Sequence, residues 1–251
     1  MRPLKLLKAI QFKHLFNSSQ FKSVKLTLVI LCIIFSGRNG LHAQNYGFKP
    51  TYDKVFYGGM LVFSATDLYL TQKLNALPNH WEINPIDKLA LNQLNLNYAH
   101  TSDITAGATM MLSAGMTLFM PKNDRWVYLN QLTQNLWLTG NSVQLVKILV
   151  QRSRPYTNAS GYQFQGNKDD NYSFFSGHSA LTASAATTAI MYAFRNNSSA
   201  TLKYTATGAG VLALTTATLR ILAGKHYPSD VLTGILFGTG ISILNAQIHK
   251  L

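Results

Sequence analysis

Acidic side chains are scarce in this chain, nine Asp and Glu against 22 Lys and Arg, and cysteine is almost absent. The single cysteine, Cys32, lies in an apolar run near the N-terminus, so neither a disulfide framework nor thiol chemistry is open to the rest of the chain. Charged residues make up only 12% of the sequence, about half the share usual in a soluble domain, and 47% of residues are hydrophobic. That balance excludes a disordered chain and raises the question of membrane contact. The net charge of +13 does not indicate nucleic acid. Seven of the cations fall in residues 1–43, where no acidic residue occurs, and the remainder has no basic stripe interleaved with aromatics. Nucleic acid is not an expected partner.

Residues 1–43 have the layout of an export signal. A basic segment ends at Lys25, an apolar run covers residues 26–35, and Leu41-His42-Ala43 offers a small residue at a cleavage point. The segment is either cleaved or kept as an N-terminal anchor. Both readings leave residues 44–251 as one exported domain, in the membrane or in the periplasm.

No stretch reads as a strand, and no internal repeat or low-complexity linker divides the chain after residue 101. Helical spacing covers residues 55–77, with Gly58-Gly59 as an interruption, followed by an irregular connection whose polar turn holds His80, Trp81 and Glu82. A helix over 104–120 is expected to be capped by Ser102-Asp103 and closed by Pro121. Further helices are predicted over 124–152, 177–194, 201–223 and 228–248, the last starting at Pro228. The fold class is therefore all-α, an up-and-down bundle of five to six helices. Residues 104–121, 204–219 and 231–248 carry no charge and are long enough to cross a bilayer, and their many small residues suit close helix packing. Turns 121–125 and 195–203 are net basic, as cytoplasmic turns tend to be, so the reading favours insertion.

Three clusters carry the chemistry. The first is Lys147 with Arg154-Pro155, the second Ser176-Gly177-His178, and the third Arg220 with His226 and Asp230. In an up-and-down bundle the helix ends that bear them lie on one side, which gathers them at one mouth. Lys147 and Arg154 are seven residues apart, two turns on one face if the helix persists, and supply a point charge and a planar fork. Ser176 can cap a helix whose free N–H groups at Gly177 and His178 favour an anion. Arg220 completes a cationic cage. With Pro228 as first helical residue, Asp230 can reach back toward the His226 ring and fix its tautomer, leaving the other nitrogen free to attack phosphorus. His178 is then placed to protonate the departing oxygen. No metal or cofactor is needed for this division of roles.

The pattern resembles the type-2 phosphatidic acid phosphatase and vanadium haloperoxidase superfamily. That family has Lys, six residues and Arg-Pro; then Pro-Ser-Gly-His; then Ser-Arg, five residues, His, three residues and Asp. The first block is complete at Lys147, Arg154 and Pro155, whereas Phe175 replaces the usual Pro and Leu219 the usual Ser. The resemblance runs from about Asp103 to the C-terminus. It implies a metal-independent phosphatase acting on a phosphate ester or pyrophosphate, a phosphorylated lipid above all, through a phosphohistidine at His226. It leaves open a soluble exported acid phosphatase of broad specificity and a vanadate-dependent haloperoxidase. Substrate candidates are phosphatidylglycerol phosphate, undecaprenyl pyrophosphate, phosphatidate and lipid A phosphate.

Each cluster alone also has a plain structural reading as a helix cap or helix end; only the three together carry the inference. Arg152, Lys168 and Lys225 read as rim charges, and Asp169-Asp170 as solvated carboxylates rather than metal ligands. Tyr156, Tyr162, Phe164 and Tyr172 either meet a lipid or order the loop that bears them.

Overall fold

A computed structural model describes residues 42–43, 46–47, 49–74, 83–90, 94–163, 167–195 and 198–249. The export segment, apart from His42 and Ala43, and the turn with His80, Trp81 and Glu82 lie outside these residues. A two-residue antiparallel pair, β1 (His42–Ala43) with β2 (Tyr46–Gly47), precedes six α-helices. These are α1 (Pro50–Lys73), α2 (Leu96–Gly115), α3 (Lys122–Val150), α4 (Gly177–Arg195), α5 (Ala200–Leu222) and α6 (Pro228–Ile248). The architecture is all-helical, as the periodicity requires.

Helix α4 is the centre of the bundle and packs against α2, α3, α5 and α6. Its alanines make this possible: Ala180, Ala185, Ala189 and Ala193 are fully buried, because a methyl side chain lets four neighbours approach at once. The closest approach is to α6. A Cβ on Gly238 would lie 2.0 Å from the Ala180 carbonyl oxygen, and one on Gly234 would lie 2.6 Å from that of Ser176. Any side chain at either position would force the two helices apart. Hydroxyls continue the seam, with Ser184 and Ser242 hydrogen-bonded at 3.0 Å. Matching increments along both helices make α4 and α6 parallel, so both begin at the same end of the molecule. Helix α3 runs against α4 and delivers its C-terminus there, and α5 runs against α2, with Thr216 bonded to Thr105 at 2.8 Å.

Helix starts differ from expectation in one instructive place. Asn95, not Ser102-Asp103, caps α2, its side chain accepting the Tyr98 N–H at 3.1 Å. Ser102 and Asp103 instead sit within the second turn, which frees Asp103 to face α5. Helix α2 also ends at Gly115 and passes into a 3₁₀ turn at Met116–Phe119 rather than running to Met120. Gly58-Gly59 do not interrupt α1, which starts at Pro50, a favourable first position.

At the end remote from the α6 start, a buried polar network ties α1 to the bundle. Asp53 Oδ1 takes the Gln134 amide at 2.5 Å, the Asn130 amide at 3.1 Å and His249 Nε2 at 3.1 Å, while Oδ2 takes the Lys49 N–H at 3.1 Å. Asn245 extends it to Gln134 and Asn135, and Asn135 to Thr188 on α4.

Candidate active site

The end of α3, the start of α4, the end of α5 and the start of α6 converge, and their side chains form one cationic mouth. Helix α3 stops at Val150 because Gln151 adopts a left-handed conformation (φ 48°), its N–H closing on the Lys147 carbonyl at 3.0 Å. Pro155 then excludes the α region for Arg154, which is extended at φ −76° and ψ 154°. Lys147 and Arg154 therefore do not share a helical face, contrary to the spacing argument. Arg154 reaches the mouth from the loop instead, and does so buried, at 3% exposure.

His226 lies between α5 and α6, after a turn at Gly224 whose φ of 68° suits glycine. Its ring is held from both sides. Nδ1 is 2.7 Å from the Ser173 carbonyl oxygen, and Nε2 is 3.3 Å from Arg154 Nη1. A carbonyl can only accept and a guanidinium can only donate, so both contacts demand the same tautomer: hydrogen on Nδ1, lone pair on Nε2. Asp230 does not make this contact. Its Oδ2 stands 3.8 Å from Nδ1, beyond hydrogen-bonding distance. The carboxylate is instead taken by the Tyr227 N–H at 2.9 Å, the Ser173 hydroxyl at 2.5 Å and Arg152 at 2.5 Å. As third residue of a helix that begins at Pro228, it reaches back one residue short of the ring and caps Tyr227.

Arg154 is anchored by the loop. Its Nε donates to the Asp169 carbonyl at 2.7 Å, Nη1 to the Lys225 carbonyl at 3.0 Å, and Nη2 to Asp169 Oδ1 at 2.6 Å. At the start of α4, Ser176 is fully buried and its Oγ accepts from the Ser179 N–H at 3.4 Å and the Ser179 hydroxyl at 2.9 Å. Ser176 thus serves as the helix cap. A Cβ on Gly177 would sit 3.7 Å from Lys147 Nζ and 3.2 Å from Val143, so glycine here lets the lysine approach the helix start.

On the other flank, Asp103 Oδ1 contacts His178 Nε2 at 2.9 Å and Arg220 at 3.3 Å, and Arg220 also donates to Ser102 Oγ at 3.1 Å. Asp103 is a site residue that reading the sequence assigned to a helix cap. The signal that would have found it is spatial, since α2 faces α5 only once the bundle forms.

Burial and then crowded cations set the protonation states. Burial, then Arg154 and Arg220, push the Lys147 amine down to about 7. Burial and Arg220 push the His178 imidazole down to about 4, against the opposing pull of Asp103. His226 is held well below its ordinary value by burial and by Arg154, Arg220, Lys147 and His178. Burial would raise Asp169, but Arg154, Lys225 and Lys147 outweigh it and keep the carboxyl low. The two imidazoles thus lie in one electrostatic field, with positive charge in excess. Such a site takes up an anion.

Neighbouring charges are not mere rim residues. Arg152 is buried and bridges Asp87 and Asp230. Lys168 donates to the Thr71 and Leu74 carbonyls at the end of α1. Asp170, buried, accepts the hydroxyls of Tyr156 and Tyr162, which assigns those tyrosines to ordering the loop. No cluster of three potential metal-ligating residues occurs among the described residues.

The sequence pattern of the PAP2 superfamily matches residues 126–250, which include Lys147, Arg154, His178, Arg220, His226 and Asp230. No curated protein matches the chain. The crystal structure of a transmembrane PAP2 type phosphatidylglycerolphosphate phosphatase from Bacillus subtilis is similar at 18% identity and a TM-score of 0.42, covering 78% of this chain and 94% of that one.

Proposed function

As the chain belongs to the PAP2 superfamily, matched over residues 126–250, we propose that it is a phosphatase that cleaves a phosphate ester or pyrophosphate, carried by a lipid, through a phosphohistidine on His226. The observation that supports this most is the His226 tautomer, whose lone pair at Nε2 faces the Arg154 guanidinium. A phosphoryl group bound to that guanidinium has its phosphorus beside the nucleophile.

Lys147, Arg154 and Arg220 hold the phosphoryl oxygens and offset charge as the transition state forms. The Nε2 lone pair bonds to phosphorus, the bond to the leaving oxygen breaks, and that oxygen takes a proton from His178. The phosphorylated ring keeps its Nδ1 hydrogen and becomes cationic, which strengthens its bond to the Ser173 carbonyl. Water then attacks phosphorus, gives a proton to His178, and the P–N bond breaks to release phosphate. In the empty site His178 is neutral above about pH 4, so it becomes an acid only when the bound phosphate restores its proton. Asp103, at 2.9 Å, favours that charged form.

The lipid part of the reading rests on the outer faces of α5 and α6. Among the described residues these two helices are long and apolar enough to cross a membrane. Tyr204, Val211, Leu214, Leu232, Leu236 and Leu244 on them are all more than half exposed. Such a surface suits acyl chains better than water. With turns 121–125 and 195–203 on the cytoplasmic side, the mouth faces outward, and residues 1–43 serve as the export signal or anchor of a catalytic domain over 44–251.

The test is phosphate release in detergent from a panel of lipid and soluble phosphates, by wild type and His226→Ala in parallel. Release by wild type alone, resistant to EDTA and blocked by vanadate, supports the mechanism. Equal release by both proteins, or full inhibition by EDTA, contradicts it.

A further inference from the structure

Asp230 is buried, makes no hydrogen bond to the ring it was expected to orient, and is joined to a second buried carboxylate that lies outside the matched region. Arg152 donates from Nη1 to Asp230 Oδ1 at 2.5 Å and from Nη2 to Asp87 Oδ2 at 2.7 Å, with its guanidinium 4.1 Å from the Tyr227 ring centre. Asp87 also accepts the Ser229 N–H at 2.9 Å and the Ser229 hydroxyl at 2.8 Å, and the Asn84 amide at 2.6 Å. On the other side Asp230 Oδ2 accepts the Ser173 hydroxyl at 2.5 Å, and the Ser173 N–H is held by the Arg152 carbonyl at 2.9 Å. The Ser173 carbonyl then receives His226 Nδ1–H at 2.7 Å.

We propose that Asp87, Arg152 and Ser173 are positioning residues for the nucleophile, acting as one chain from Asp87 through Arg152 and Asp230 to the Ser173 carbonyl and the His226 ring. This rests on the phosphatase reading for its kinetic consequence, not for its structural one.

Two physical effects follow from the connectivity. The first is orientation: Ser173 is fixed by two bonds besides the one to the ring, so the acceptor that favours the Nδ1–H tautomer does not wander. The second is charge. Two carboxylates and one guanidinium leave the buried cluster with one net negative charge beside a ring that becomes cationic when it is phosphorylated. Arg152 is what makes two buried carboxylates tolerable so close together. Its planar fork reaches both, which the point charge of lysine cannot do.

Asp87→Asn keeps the shape and, through Oδ1, an acceptor for the Ser229 N–H, but removes the charge and the Oδ2 acceptor of Arg152. On dioctanoyl phosphatidate in micelles, Asp87→Asn and Arg152→Gln should each lower kcat by about 10- to 100-fold, with KM little changed. The double variant should be no worse than the poorer single one, because both cut one chain. Arg152→Lys should not rescue. Wild-type kcat in Asp87→Asn, or multiplying losses in the double variant, overturns the proposal. A second measurement needs no turnover: ¹⁵N-histidine spectra, with His226→Gln to assign the signal. They should show the Nδ1–H tautomer in the wild type and a mixture in Asp87→Asn and Ser173→Ala. An unmoved tautomer in both variants would sink the chain. An inactive wild type with the tautomer shift intact would instead sink the phosphatase reading alone.

Discussion

The two ends of the bundle hold the same kinds of buried side chain in opposite electrical conditions. At the far end, Asp53 takes four donors: three neutral amide groups from Asn130, Gln134 and the Lys49 backbone, and His249. Burial raises its carboxyl, but the bonds from His249, Asn130 and Gln134 outweigh burial and hold it low. The cluster is complete in itself. At the mouth, about 31 Å away along the 21 residues of α6, Lys147, Arg154 and Arg220 crowd two imidazoles, and burial together with the neighbouring cations lowers Lys147, His178 and His226. That cluster is incomplete until an anion arrives. Both contain a His–Asp contact near 3 Å, at His249–Asp53 and His178–Asp103. A histidine beside a carboxylate is thus no sign of catalysis unless positive charge is left over.

The sharpest way to break this contrast is to remove one histidine from each end. His226→Ala should lower phosphate release by about 10⁵-fold or more, since no covalent intermediate can form. His249→Ala should leave release per folded molecule within about twofold of wild type. An equal collapse of both would erase the distinction. Next in size is the acid. His178→Ala should cost about 10²–10⁴-fold with alkyl phosphates and clearly less with nitrophenyl phosphate, whose leaving group needs no proton. Identical losses with both substrates would contradict the assignment.

Stability should respond the other way round. Asp53→Ala removes an acceptor shared by four buried donors and should cost about 3–5 kcal/mol, read by thermal melting in detergent. Asp103→Asn, on the exposed flank of the mouth, should leave the melting temperature nearly intact while depressing turnover.

The smallest effects concern protons. An anion in the mouth raises the amine of Lys147 from about 7, so near pH 8 the free site lacks a proton that the bound site holds. Vanadate binding should therefore take up close to one proton at Lys147 there, besides any that His178 regains, and its affinity should fall as pH rises through about 7 and beyond. Calorimetry in buffers of different ionisation enthalpy reads the uptake, and Lys147→Met should lower it by close to one proton. Asp169 places a carboxylate on Arg154 at 2.6 Å. Asp169→Asn should thus tighten vanadate by about two- to fivefold near pH 6, where Lys147 is already charged.

What was legible in the sequence depended on whether the signal was local. Pro228 marks the first residue of α6, and the Ala-rich run from Gly177 marks α4; both helices begin as expected. Lys147, Arg154, His178, Arg220 and His226 carry motif spacing, and helix direction alone was enough to bring their helix ends together. Ser102-Asp103 misled because a cap and a mid-helix carboxylate look alike until a neighbour is known. Arg152 was read as a rim charge for the same reason: its partners, Asp87 and Asp230, lie 65 and 78 residues away. The reach of Asp230 failed by a smaller margin. A carboxylate at the third residue of a helix can bond its own cap or the ring before it, and only the Ser173 carbonyl, delivered by the loop, decides between them.

The central claim, that Lys147, Arg154 and Arg220 hold one tetrahedral anion against His226, is tested most directly by a structure of the protein with orthovanadate. The account predicts vanadium bonded to His226 Nε2, its oxygens on the three cations, and His178 facing the apical oxygen. Vanadate bound elsewhere, or a His226 Nε2 turned away from it, would contradict the account.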